Sequence, residues 1–185
     1  HWLQLGPDLG RIQQGFAPSV RRAVRKARRA GVNCTITTSP DALQKFLALH
    51  HLTRRRHGVP PQPPAFFGHL QAELLDAGHG FVALAEKDGR PLAAAVFLSR
   101  GPHAVYKFGA SDPAAWQMRP NNLVMVEAIS ALAQQGVGVL DFGRTDASQE
   151  GLRRFKRSFG ASEQPLFYRR FEPKTGWRLL TNQKT

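Results

Sequence analysis

Residues 80–111, GFVALAEKDGRPLAAAVFLSRGPHAVYKFGAS, leave this chain little freedom in what it can fold into. Asp88-Gly89 and Gly101-Pro102 cut the stretch into three largely apolar runs. Asp-Gly supplies the positive φ values of a tight hairpin turn, and Gly-Pro is a turn dipeptide. The stretch therefore reads as three consecutive antiparallel strands. Directly after it the period changes. Leu123, Val124, Val126, Ile129, Ala131 and Leu132 recur at helical spacing behind RPNN, which predicts a long helix over about 120–135.

Flanking segments complete the pattern. Pro18 and Gly31 bracket APSVRRAVRKARRAGV as a helix start and stop. Arg21, Arg22, Arg25, Lys26, Arg28 and Arg29 fall on one arc of its wheel, and Val20, Ala23, Val24, Ala27 and Ala30 on the other. VNCTITT alternates as a strand. Ser39 and Pro40 open a helix whose Leu43, Phe46, Leu47, Leu49 and Leu52 recur at helical spacing. Its cationic last turn, Arg54 to His57 and including Arg56, suits the helix dipole. PPQPP (60–64) is a stiff connector to a further helix at about 65–77. VGVLDFG is a buried strand, SQEGLRRFKRSF a short helix and QPLFYRRFE a last strand. Strands, hairpins and one long crossover helix in this order define an α+β class with a mixed, mostly antiparallel sheet flanked by helices.

The formal net charge of +13 calls for an anionic partner: nucleic acid, a phosphorylated molecule or an acidic membrane face. Hydrophobic residues make up 42% of the chain, enough for a core, and no stretch reaches the roughly 20 apolar residues of a membrane span. The single Cys34 excludes an internal disulfide framework and reads as a small core residue, which suits a reducing compartment. The His residues show no metal-ligand spacing, and no H-E-x-x-H or G-x-S-x-G motif occurs. The chain starts on a strand-like segment without an initiator Met, which reads as a piece of something longer.

Three segments carry a resemblance. RRAVRKARRAGV resembles the basic junction helix of the Fem-type (FemAB-related) aminoacyltransferases. VYKFGASDPAAWQMRPNNLVMVEAI resembles their central strand, loop and long helix, and LDFGRTDASQEGLRRFKRSFGA their C-terminal motif. The resemblance runs in the family's order across about residues 15–170. It implies a GNAT-like (acyl-CoA N-acyltransferase type) fold, present here as a second copy. Residues 1–30 would then be the end of a preceding copy and the junction helix, 31–172 the acyltransferase domain and 173–185 a tail. The resemblance also implies an enzyme that transfers an acyl or aminoacyl group to an amine of a peptidoglycan or polysaccharide precursor. The donor would be aminoacyl-tRNA or acyl-CoA, with no tightly bound cofactor and no metal. The setting would be cytoplasmic, at or near the inner membrane face, with a phosphate-bearing anionic substrate and tRNA as partners. The competing readings are a basic nucleic-acid-binding module and a non-catalytic support copy of a tandem protein.

Acyl transfer to an amine needs alignment and stabilisation of an oxyanion more than covalent help. By that resemblance Lys156 in RFKRSFG matches the family position of an electrostatic stabiliser or phosphate contact. On the helical wheel it lies at the edge of the Leu152/Phe155/Phe159 face, beyond which Arg153, Arg154 and Arg157 turn outward. LDFGRTD sets Asp141, Arg144 and Thr145 at the end of a buried strand, where function concentrates. Asp141 is a candidate to orient Arg144 or accept the amine's proton. Arg144 is a candidate to grip phosphate or carboxylate. Asn121 and Asn122 open the long helix as anion-binding or capping residues. Coenzyme A-dependent relatives carry a Gly-rich loop at that place, whereas WQMRPNNLV holds no Gly and puts an amide-less Pro120 there. Tyr106 and Lys107 precede the helix, and strand alternation allows only one of them at a given site. Arg154 and Arg56 complete the substrate-binding candidates.

Overall fold

The computed structural model describes residues 1–174 and 176–180. Its strands are β1 (Trp2–Gln4), β2 (Asn33–Thr37), β3 (Gly80–Lys87), β4 (Arg90–Arg100), β5 (His103–Ser111), β6 (Val139–Asp141), β7 (Tyr168–Glu172) and β8 (Gly176–Leu180). The helices are α1 (Leu9–Gln14), α2 (Pro18–Arg29), α3 (Pro40–Arg56), α4 (Pro64–Leu70), α5 (Pro120–Gln134) and α6 (Glu150–Ser158). Six strands form one sheet in the order β1-β6-β5-β4-β3-β2, antiparallel throughout except for the parallel β5–β6 pair. The mixed, mostly antiparallel sheet is the one expected. The Asp88-Gly89 turn closes the β3–β4 hairpin with φ of 51° and 76°, the left-handed pair that this dipeptide tolerates.

Each face of the sheet buries a separate apolar cluster. Phe81, Ala83, Ala95 and Phe97 point to the side covered by α5, where they meet Leu123, Ile129 and Leu132. Val82, Leu84 and Val96 point to the other side and meet Phe46, Leu49 and Phe67 of α3 and α4. Alternation along β3 and β4 thus sorts the two layers. Helix α5 is buried nearly all round because α2 covers its outer side. The small inward residues Val20, Val24 and Ala27 let α2 approach closely, and Arg28 Nη2 donates to Glu127 Oε1 at 2.7 Å.

The expected boundary at residue 30 falls inside this packing. β1 pairs with β6 in the main sheet, and α2 shares the core with α5. The last expected strand, 164–172, shortens to β7, which pairs with β8 in a separate two-stranded sheet. β1 occupies the edge of β6. The end of the expected tail, 181–185, lies outside the described residues.

His50 is buried in the α3–α4 layer, stacked on Phe46 and edge-on to Phe67 and Phe108. Burial pushes its pKa below the ordinary histidine value, with minor help from Arg54 and His51 and against the contact to Gln62. The folded chain therefore favours the neutral ring, while the unfolded chain takes up a proton near pH 6.5. Stability should be fully present above about pH 6.5 and fall as pH drops through the lowered folded value. Thermal unfolding of wild type and His50→Phe between pH 5 and 8 checks this. The variant should lose the part of the slope that sets in below about pH 6.5; an unchanged slope refutes the assignment.

Candidate active site

The parallel pair β5–β6 is short. It runs from His103↔Val139 to Val105↔Asp141, and β5 then continues alone. Where the strands part, a cleft of about 550 Å³ opens. Tyr106, Gly109 and Ser111 line it from β5, Asn121, Val124 and Met125 from α5, and Gly143, Arg144 and Lys156 from the β6–α6 side. Thr53, Arg56 and His57 close it at the C-terminal end of α3.

A bulge shapes its floor. Val96 pairs with Phe108 but Phe97 with Tyr106, so Lys107 is an extra residue on β5. The phase of the strand flips there. Tyr106 packs with Phe97 on the α5 side, Phe108 and Ala110 join the α3–α4 layer, and Gly109 and Ser111 return to the α5 side. Both Tyr106 and Lys107 line the cleft, so the alternation that would admit only one of them is broken by the bulge. The glycine is required sterically: a Cβ on Gly109 would lie 1.7 Å from the Tyr106 hydroxyl oxygen. Burial pushes the Tyr106 phenol up to about 12, so it stays protonated.

Lys156 is not the edge residue that the wheel of its own helix suggests. It is only 2% exposed, whereas Leu152 is 39% exposed. The β6–α6 loop folds over it, and its Nζ donates to the carbonyl oxygens of Gly143 at 2.9 Å and Arg144 at 3.3 Å. Two of its three protons are thereby used. Burial pushes the ammonium below the usual lysine range, opposed by the charge of Asp141. Arg153 and Arg157 are likewise not free solvent cations. Arg153 pairs with Glu150 and Glu163, and Arg157 pairs with Glu150.

The other expected residues divide. Arg144, Asn121, Tyr106 and Arg56 share the cleft with Lys156. Arg144 Nη1 donates to the Tyr168 hydroxyl at 2.6 Å. Asp141 does not line the cleft. Its Oδ1 accepts from the Gly143 amide at 2.7 Å, and it borders a groove of about 720 Å³ that Trp2, Leu98 and Val105 also line. Asn122 borders a shallower groove beside α2 with Arg22, Lys26 and Arg119. Arg154 is exposed on α6 and outside the cleft. Thr145 Oγ1 is buried without a hydrogen-bond partner in the described structure, and Thr145 is not among the cleft residues.

Among the described residues no Asp or Glu lines the cleft, whereas Arg56, Lys107, Arg144 and Lys156 all do. The site is a positively charged slot between diverging parallel strands. It suits an anionic molecule and can stabilise negative charge that develops on an oxygen. The first turn of α5 is poor in amides for a pyrophosphate. Pro120 has none, and the Asn122 amide is spent on the Arg119 carbonyl at 3.2 Å. Pro120 and Asn122 therefore offer no free amide to a coenzyme A pyrophosphate at that turn. Sequence reading missed Gly109, Ser111, His57 and Trp116. The glycine within a strand in FGAS was the available signal, since such a glycine marks a bulge or a close approach.

The parallel β5–β6 pair thus splits beside the first turn of the central helix α5. Residues 15–157 match the acetyltransferase (GNAT) domain family, and the chain belongs to that family and so to the acyltransferases. A search of the curated proteins finds no significant match. Among solved structures the chain is similar to FemX, with a TM-score of 0.75 and 17% identity over 86% of this chain and 58% of that one. It is similar to the C-terminal domain of a putative lysylphosphatidylglycerol synthetase from Agrobacterium fabrum, with a TM-score of 0.60 and 16% identity over 78% of this chain and 51% of that one. It is also similar to an aminoglycoside acetyltransferase from an uncultured soil metagenomic sample, solved with trehalose, with a TM-score of 0.60 and 18% identity over 75% and 95%. The chain thus spans less than two thirds of the first two of these structures.

Proposed function

We propose that this domain transfers an acyl or aminoacyl group from a phosphate-bearing carrier to an amine of a cell-envelope precursor. The observation that carries this reading is the β5–β6 cleft with a buried lysine on its wall and no carboxylate in its lining. The amine nitrogen attacks the acyl carbonyl carbon, the carbonyl electrons move to oxygen, and the carrier's ester oxygen or thioester sulfur leaves as the tetrahedral species collapses. The third proton of Lys156 faces that oxygen and stabilises its charge. The phenol of Tyr106 stays protonated and acts as a donor, and the Nε2 of His57 is engaged with Arg56 at 3.3 Å, so the amine's proton passes to water. Arg144 and Arg56 hold anionic groups of the two substrates. The amide-poor first turn of α5 favours aminoacyl-tRNA over acyl-CoA as donor, with the exposed basic face of α2 available to the nucleic acid. FemX is similar in fold, and the cell-envelope acceptor rests on the resemblance of LDFGRTDASQEGLRRFKRSFGA to the Fem-type C-terminal motif. Among the described residues no helix is long and apolar enough to cross a membrane, and the reaction is assigned to the cytoplasmic side of one.

The test incubates the protein with a nucleotide-linked, lysine-bearing peptidoglycan precursor and either charged tRNA or acetyl-CoA. The product is weighed by mass spectrometry. A mass gain on the amine with charged tRNA is expected. Transfer from acetyl-CoA alone overturns the donor assignment, and no transfer from either overturns the reading.

A further inference from the structure

Ser111 closes β5 and is only 6% exposed, yet it lines the cleft. Its Oγ accepts two hydrogen bonds, from Trp116 Nε1 at 3.0 Å and from Asn121 Nδ2 at 3.2 Å. A hydroxyl oxygen has two lone pairs and one proton. Both lone pairs are taken, and the proton has no acceptor among the described residues. A buried donor left without a partner is costly, so such a group implies something that completes it. Rotating the Asn121 amide by 180° would let its Oδ1 accept the Ser111 proton and leave the Asn121 N–H groups without an acceptor. In either arrangement the pair keeps at least one polar hydrogen unpartnered among the described residues.

A cation accompanies this donor. Arg56 lies over the Trp116 ring at 4.9 Å from its centroid, and it forms no ion pair with a carboxylate among the described residues. Its other contact is to the neighbouring His57, at 3.3 Å. Thr53 Oγ1 accepts from the Ser111 amide at 3.4 Å, which ties the end of α3 to the same place. Ser111, Asn121 and Arg56 therefore form one wall, braced from behind the lining by Trp116, and Lys156 belongs to the β6–α6 wall.

We infer that this wall binds an anionic oxygen, phosphate or carboxylate, on the amine-bearing acceptor. The inference rests on the proposed acyl transfer: if Lys156 holds the acyl oxygen on its own wall, the attacking amine enters from the α3 side. A site with four cations and no carboxylate also repels a polycationic amine. The acceptor class is thus an acidic amine and not an aminoglycoside, although an aminoglycoside acetyltransferase shares the fold.

Trp116 is a built-in reporter. With Trp2 and Trp177 replaced by Phe, its fluorescence is followed on titration with O-phosphoethanolamine, β-alanine, ethanolamine and an aminoglycoside. A saturable change is expected with the first two only, and the tighter of these identifies the anion. Ser111→Ala and Arg56→Ala should each weaken it about tenfold. Arg154→Ala, on the exposed side of α6 and outside the cleft, should leave it within about threefold; binding is read here without turnover, so a failure of the Lys156 reading shows in turnover and not here. Tighter binding of the aminoglycoside, an unchanged affinity in Ser111→Ala, or no saturable response to either acidic amine overturns the inference.

Discussion

Lys156→Ala should lower acyl transfer by about 100-fold or more, the scale on which removal of an oxyanion donor is felt. The effect has two sources that measurements can separate. The ammonium donates to the Gly143 and Arg144 carbonyls, so its loss also frees the loop that carries Arg144. That part costs stability, about 1–2 kcal/mol for two part-buried acceptors that lose their donor. It would appear as a lower thermal midpoint and a raised KM. Loss of the third proton, which the proposed mechanism gives to the substrate oxygen, would appear in kcat with KM little changed. Lys156→Met keeps the buried stem and removes the charge. It should restore much of the packing and none of the rate. The pH profile gives an independent sign. Burial lowers the lysine's pKa, so activity that needs the ammonium should fall on the alkaline side earlier than for an ordinary lysine. Turnover in Lys156→Ala within a few fold of wild type would remove the residue from the mechanism.

The features legible in the sequence were those set by local rules. Asp88-Gly89 dictated a turn whose φ values the structure shows. Pro18 and Gly31 set the limits of α2, and periodicity located α5 within a residue or two. Partners across long sequence distances were not legible. Three residues at β1 carry too little pattern to reveal that they pair with β6, more than a hundred residues away. A helical wheel likewise shows only what a helix offers. It placed Lys156 at an edge because the loop that buries it comes from β6 and not from α6. The carboxylate of Asp141 was next to Arg144 in sequence, yet a hydrogen bond to the Gly143 amide holds it away from the cleft. The bulge at Lys107 was the largest loss, because a single extra residue reverses the facing of everything after it. That reversal brings Gly109 and Ser111 beneath α5.

Gly109→Ala is the sharpest probe of that reversal. A methyl group there would stand 1.7 Å from the Tyr106 hydroxyl oxygen and 2.7 Å from its Cζ. The ring has little room to retreat, being packed against Phe97 at 5.4 Å and Phe142 at 6.3 Å between centroids. Forcing a carbon into such a site costs about 1–3 kcal/mol. The strain can be relieved by tilting the phenol into the cleft, and a shift of about 1 Å there is enough to cost on the order of 100-fold in rate. Tyr106→Phe alone should be close to neutral for stability, since the hydroxyl has no hydrogen-bond partner among the described residues. Combined with Gly109→Ala it should recover part of the lost stability, because the nearest clashing atom is gone. The recovery should be incomplete, since the ring carbon remains too close. Denaturant unfolding of the four proteins measures the coupling directly. If the two substitutions add without interaction, the tyrosine does not sit over the glycine, and the bulge does not shape the cleft floor as described.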